Sequence, residues 1–176
     1  MSKYVALTLV IGVLALIDTW LFGLSALKTL NLQVWMSFIA WGVHFMAGGK
    51  TQGAKAAALS MSFGALVGMV AAIAAGGVLS GLGTLAAPVA VGIGAALIVA
   101  ASKVPLLEAI PAGFYGFACI FALILLPTPN TAPTAAIVPT IISVVIGAAF
   151  GYVSEILTDM LAKKDIALEP GVGKPA

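Results

Sequence analysis

Read from its N-terminus, the chain alternates long apolar stretches with short polar breaks. The first apolar run extends from Tyr4 to Leu27 and the second from Leu32 to Gly48, bounded by Lys28 and by Gly49-Lys50. The third covers about Ala54 to Ala75 and stops at Gly76-Gly77; the fourth covers Thr84 to Ser102 after a Gly- and Ser-containing break. Lys103 and Pro105 open the fifth, which reaches Leu126 and contains Pro111. A polar connector, Pro127 to Pro133, precedes the sixth, from about Thr134 to Leu161. Barrel strands would show about ten residues of alternating polarity, whereas these runs are longer and continuously apolar. A helix needs roughly 20 apolar residues to cross a bilayer. The pattern therefore predicts an all-α polytopic membrane protein with six transmembrane helices. The first run is too long for the apolar region of a signal peptide and lacks a small-x-small exit, so it is expected to persist as the first helix. Residues 1–162 are expected to form one six-helix domain. Residues 163–176 read as a short, disordered, Pro- and Gly-rich cytoplasmic tail.

Composition narrows the class further. Of 176 residues, 62% are hydrophobic and only 8% charged, against about 25% charged in a soluble domain. A water-soluble globule and a disordered chain are both excluded. A single cysteine, Cys119, inside an apolar run excludes an internal disulfide framework. A net charge of +2 with no arginine leaves no basic face for a nucleic-acid backbone. Lysine placement sets the expected orientation. With six helices, Lys3, Lys50, Lys55, Lys103, Lys163, Lys164 and Lys174 share one side and only Lys28 falls on the other. The positive-inside rule assigns the lysine-rich side, and both termini, to the cytoplasm.

An internal similarity links the third and sixth runs. Ser60, Gly64 and Gly68 are spaced as Ser143, Gly147 and Gly151 are, and Ala65 and Val70 match Ala148 and Val153 in the same register. Such small-residue faces let helix backbones approach closely in lipid. Two readings stand: a packing motif common to Gly-rich helices, or two three-helix repeats inverted relative to one another. Helices 1 and 4 show no comparable match.

Catalytic constellations are missing. One histidine excludes a histidine metal cluster and a His-Glu-x-x-His motif, and there is no Gly-x-Ser-x-Gly. The chain is expected not to be an enzyme and to need no metal or cofactor. The candidate chemistry is a short set of polar residues at membrane depth. Asp18, within Leu16-Ile17-Asp18-Thr19-Trp20, is expensive to bury and so is expected to face the bundle interior. It is either a solute- or proton-contacting group or a protonated carboxyl that stabilises packing. His44 is either a proton-sensitive gate or an interface histidine satisfied by a carbonyl or headgroup. Trp35 and Tyr4 read as interface anchors, while Trp20 and Trp41 lie deeper and are candidates to line a path. Pro111 removes a backbone donor and is expected to kink or break helix 5 just after Glu108. Glu155 and Asp159 read as solvated residues at the end of helix 6, with Asp159 spaced to pair with Lys163. If the halves are inverted repeats, the short helix 2 and the interrupted helix 5 occupy matching positions, a pointer to a binding site. Asp18, Trp41, His44, Glu108 and Phe114 are then expected to line one solute path; the alternative scatters them among separate contacts.

Three stretches carry a resemblance: Trp35-x-x-Phe38-Ile39 followed by Phe45 and Gly48-Gly49; Pro111-x-Gly113-Phe114-x-Gly116 leading to Phe121-Ala122; and Pro139 leading to Gly147-x-x-x-Gly151-Tyr152. Up to about residue 162 the chain resembles the bacterial family catalogued as domain of unknown function 1097. The resemblance implies a bacterial inner-membrane protein of about this size and supplies no activity. Two functions are expected from the residues: a channel or facilitator for a small neutral or weakly charged solute, or a non-transporting accessory subunit of a larger membrane assembly. A homo-oligomer, with a trimer as the favoured number, is expected from the small size and the glycine faces.

Overall fold

A computed structural model describes residues 1–126 and 130–162. The connector residues Pro127, Thr128 and Pro129 and the tail from Lys163, with Lys164 and Lys174, lie outside these. The described residues form helices and no strand. The principal ones are α1 (Lys3–Gly23), α2 (Val34–Met46), α3 (Lys50–Gly76), α4 (Ser80–Ala101), α5 (Ile110–Leu125) and α6 (Pro133–Leu161). By length and apolar composition, α1, α3, α4 and α6 can each cross a membrane. The other two, of 13 and 16 residues, reach only about 20 and 24 Å at a rise of about 1.5 Å per residue. That is short of a hydrocarbon core roughly 30 Å thick.

The local reasons for these boundaries are visible. Gly48, Gly49 and Lys50 all have positive φ, at 93°, 68° and 51°, so the chain turns sharply between α2 and α3. Glycine takes such values without penalty, whereas Lys50 must be held there by its contacts. Within α3, Ala56–Ser60 forms a π-helical turn. The expected interruption at Pro111 takes a different form from a kink inside a helix. The preceding segment is a separate 3-10 turn, Pro105–Leu107, and Pro111 sits in the first turn of α5. A first-turn N–H has no intrahelical acceptor, so proline costs nothing there and its fixed φ starts the helix. Pro139, in contrast, lies well inside α6. Around it the hydroxyls of Thr140 and Ser143 donate to the carbonyls of Ala136 and Pro139 at 2.8 Å each.

Helices α3 and α6 form the centre and pack on each other. Beyond that central contact, helix α3 packs on α5 and α4, while α6 packs on α2 and α1. The two glycine faces make these contacts. A Cβ on Gly64 would lie 1.8 Å from the Gly113 carbonyl oxygen, and one on Gly147 would lie 2.0 Å from that of Ser37. The glycine faces of α3 and α6 are thus consumed inside the chain, which corrects their expected use as contacts between chains. The outer helices each bury one stripe: Ala6, Val10, Leu14, Asp18 and Phe22 on α1, and Ala86, Ala90, Gly94 and Ile98 on α4.

Successive helices reverse direction, as the end contacts show. At one end Lys3 pairs with Asp159 at 2.8 Å, and Gln52 Nε2 approaches Glu108 Oε1 at 3.5 Å. At the other, Asn31 Nδ2 donates to Thr131 Oγ1 at 2.9 Å. Asp159 therefore has Lys3 as its partner, and the expected partner Lys163 lies outside the described residues.

Candidate functional site

Ser37, Trp41 and His44 follow the helical spacing that puts them on one face of α2. All three are buried, as is Asp18 on α1. Together with Ser154 and Glu155 of α6 they form a polar seam inside an apolar bundle. Its rear wall is glycine: a Cβ on Gly147 would strike the Ser37 backbone, and one on Gly151 would lie 2.6 Å from His44 Cβ. Only the missing side chains let α6 come this close.

The seam has three parts. At the end nearer Asn31, the Asp18 carboxyl faces the Ser37 hydroxyl without closing a hydrogen bond to it. In the middle, Trp41 Nε1 donates to Ser154 Oγ at 3.1 Å, and Ser154 Oγ donates to the Gly151 carbonyl at 2.7 Å. The Trp41 ring packs against Phe150 at 5.6 Å between centroids, with Val10 and Leu14 beside it. At the lysine-rich end, His44 Nε2 lies 3.2 Å from Glu155 Oε2. The same carboxylate accepts the Lys50 N–H and rests on Gly49, where a Cβ would sit 2.8 Å from Oε2. This wrapping holds Lys50 at its positive φ. It also explains the second glycine of Gly48-Gly49, whose Cβ would displace the carboxylate.

Among the described residues, four buried side-chain atoms have no hydrogen-bond partner: both Asp18 oxygens, Ser37 Oγ and His44 Nδ1. An unpaired buried polar group costs roughly 1–3 kcal/mol. Their concentration in one seam is the main departure from a purely structural bundle.

The structure brings Asp18, Trp41 and His44 to the α1–α2–α6 unit and sets Glu108 and Phe114 apart from them. Glu108 lines a cavity of about 450 Å³ at the lysine-rich end, with Thr51, Gln52, Lys55 and Ser60. Asp18, Trp41, His44 and Phe114 are not part of its wall. Phe114 is 39% exposed on the outside of α5. The reason is that α5 packs chiefly on α3, whereas α2 packs chiefly on α6. Trp20 points outward and does not line a path. A second cavity, of about 360 Å³, opens at the opposite end and is lined by Thr19, Phe22, Lys28, Leu32 and Gln33. Glu155 and Ser154 are members of the seam that the sequence left among solvated and unremarked residues. Their partners lie more than 100 positions away, and no local pattern announces such a pairing.

Long apolar helices, glycine-mediated crossings and a largely buried polar seam define an all-helical membrane protein. Within that class, the chain belongs to the family described as Protein of unknown function (DUF1097), whose model matches residues 8–159. No curated protein and no solved structure matches the chain.

Proposed function

We propose that the protein is a channel or facilitator for a small neutral or weakly charged solute, and not an enzyme. The observation that carries this reading is the cluster of buried atoms without a hydrogen-bond partner among the described residues, both Asp18 oxygens, Ser37 Oγ and His44 Nδ1, in the α1–α2–α6 seam. Atoms that make no hydrogen bond do not strengthen the packing, and ionisable residues at membrane depth characteristically mark solute or ion pathways. The lack of arginine disfavours an anion, because no bidentate clamp is available.

In this reading the chain has six spans, the two short helices being completed by their flanking segments, and the halves are inverted repeats. The packing supports that division. Exchanging α1, α2 and α3 for α4, α5 and α6 leaves the main helix contacts unchanged: each central helix packs on the two outer helices of the other half. Even the apolar crevices beside the outer helices match, at about 330 Å³ for α3–α4 and about 340 Å³ for α1–α6. Short helices in matching positions of two halves are the usual location of a transporter's site. The lysine-rich end faces the cytoplasm, with both termini inside a bacterial inner membrane. Chains associate as a homo-oligomer, a trimer by preference, through α1 and α4, where Gly12 and Gly92 have nothing within 4 Å.

The test is flux into liposomes containing the purified chain, across small amides, amines and short acids. At least one solute should equilibrate faster than in empty liposomes and in those carrying the Asp18→Ala variant. No flux for any solute, together with a foreign protein retained through purification, would replace this reading with that of an accessory subunit.

A further inference from the structure

The two halves supply an internal control on the chemistry of the seam. Gly147 approaches Ser37 as Gly64 approaches Gly113, and Gly151 approaches His44 as Gly68 approaches Ile120. In that register Ser37 corresponds to Gly113, Trp41 to Phe117 and His44 to Ile120. On the outer helices the buried stripe Ala6, Val10, Leu14, Asp18 corresponds to Ala86, Ala90, Gly94, Ile98. The contact between helices is repeated too. Asp18 faces Ser37, and the Ile98 side chain lies where a Cβ on Gly113 would come within 2.6 Å of it. One shape is therefore built twice, once in apolar side chains and once with a carboxyl, a hydroxyl, an indole and an imidazole. The apolar version packs without the polar groups, so packing does not require them.

We infer that Asp18, faced by Ser37, is a proton-binding site: it holds a proton in this closed arrangement and releases it to water only when the α1–α2 contact opens. Among the described residues, no charged group faces the carboxyl. Lys28 stands at the cavity beyond it, and His44, Glu155 and Asp159 cluster toward the lysine-rich end. A carboxylate without a counter-charge in an apolar interior is strongly disfavoured against its neutral form. An alkali or divalent cation could supply the charge, but such ions take several oxygen ligands. Beyond its own two oxygens, Asp18 has, among the described residues, only the Ser37 hydroxyl facing it. A proton needs one oxygen.

The route for that proton is one-sided. Thr19 and Phe22 of α1 and Gln33 just before α2 line the cavity at the Asn31 end, which places its floor about one helical turn from the Asp18–Ser37 pair. Phe22 and Leu32, only 5% and 6% exposed, form that floor. In the other direction stands Trp41, whose indole N–H donates but cannot accept, so it cannot relay a proton to His44. Opening at Phe22 and Leu32 would transfer the proton from the carboxylic acid to cavity water and leave a hydrated carboxylate. Solute movement and protonation of Asp18 are then coupled from that end. The coupling rests on the transport reading; the proton site does not.

Infrared difference spectroscopy of the full chain in lipid, wild type against Asp18→Asn, tests the site without any flux. At about pH 7, where an ordinary carboxyl is ionised, the wild type should show a carboxylic-acid C=O band that the variant lacks. Ser37→Ala should shift the frequency of that band, since Ser37 is the polar group facing it, and this variant adds no bulk that could disturb folding. Saturating sodium or potassium at fixed pH should leave the band intact. Absence of an Asp18-dependent acid band, or its loss on adding either cation, overturns the proposal. A band without flux for any solute would refute the transport reading alone, and flux with an ionised Asp18 would refute the proton site alone.

Discussion

The contact between α2 and α6 makes a quantitative claim through Gly147. Its Cα lies so close to α2 that an added Cβ would stand 2.0 Å from the Ser37 carbonyl oxygen and 2.7 Å from the Ser37 Cα. Ordinary van der Waals contact begins at 3.4 Å, so Gly147→Ala leaves more than an ångström to be recovered. The obstacle is backbone on a packed helix, which no rotamer change can remove. Helix α2 must move away from α6, loosening the Trp41–Ser154 hydrogen bond and the His44–Glu155 contact on the same face. Overpacking of this kind costs about 1–3 kcal/mol and more when backbone must shift. The change also gains the helix preference of alanine, about 1 kcal/mol. The net loss should still reach about 2 kcal/mol, because the obstacle is backbone and two further interactions weaken with it. Gly12→Ala on α1 isolates the propensity term, since nothing lies within 4 Å of that position. Reversible unfolding in mild detergent, followed by tryptophan fluorescence, should show Gly147→Ala clearly less stable than wild type. Gly12→Ala should be unchanged or slightly more stable. Equal stability of the two variants would refute the close crossing of α2 and α6.

Other expectations follow from the ends of the bundle. Glu155→Ala removes the acceptor for both His44 Nε2 and the Lys50 N–H. It should cost about 2 kcal/mol or more in the same assay, with faster hydrogen exchange at the Lys50 amide; unchanged exchange would show the turn to be held by other means. Asp159→Asn should leave the unfolding midpoint where it is, because the Lys3–Asp159 pair is exposed on both sides, at 67% and 54%, and such pairs contribute little. A reporter fused after Ala176 should read cytoplasmic and one inserted at Asn130 periplasmic. A periplasmic C-terminus would overturn the six-span topology.

Much of the architecture is legible in the one-dimensional pattern. In lipid each backbone must satisfy its own hydrogen bonds, so a long apolar run has little choice but to be a helix. For the same reason Ser60-Gly64-Gly68 and Ser143-Gly147-Gly151 could be recognised as contact faces before any contact was known, since fourfold spacing of small residues has one geometric use. Asp18 and His44 were conspicuous because ionisable groups are rare in such surroundings. Pro111 was legible as an interruption, although its place in the first turn of α5 depends on where the helix starts, and that depends on the segment Pro105–Leu107 packing near Ser60.

What the sequence determined on its own is therefore the class, the number of apolar segments and the residues too polar to be casual. Pairing belongs to the tertiary structure. Which helix each glycine face meets, and hence that α2 sits on α6 while α5 sits on α3, is settled by how side-chain surfaces mesh across the bundle. That arrangement joins Trp41 to Ser154 and His44 to Glu155 over more than 100 positions, and it parts Glu108 and Phe114 from Asp18. Periodicity reports which face of a helix is special. It carries no information about the rotation and partner of that face, because in lipid many helix pairs of similar composition would be nearly equivalent, and only close complementarity of shape chooses among them.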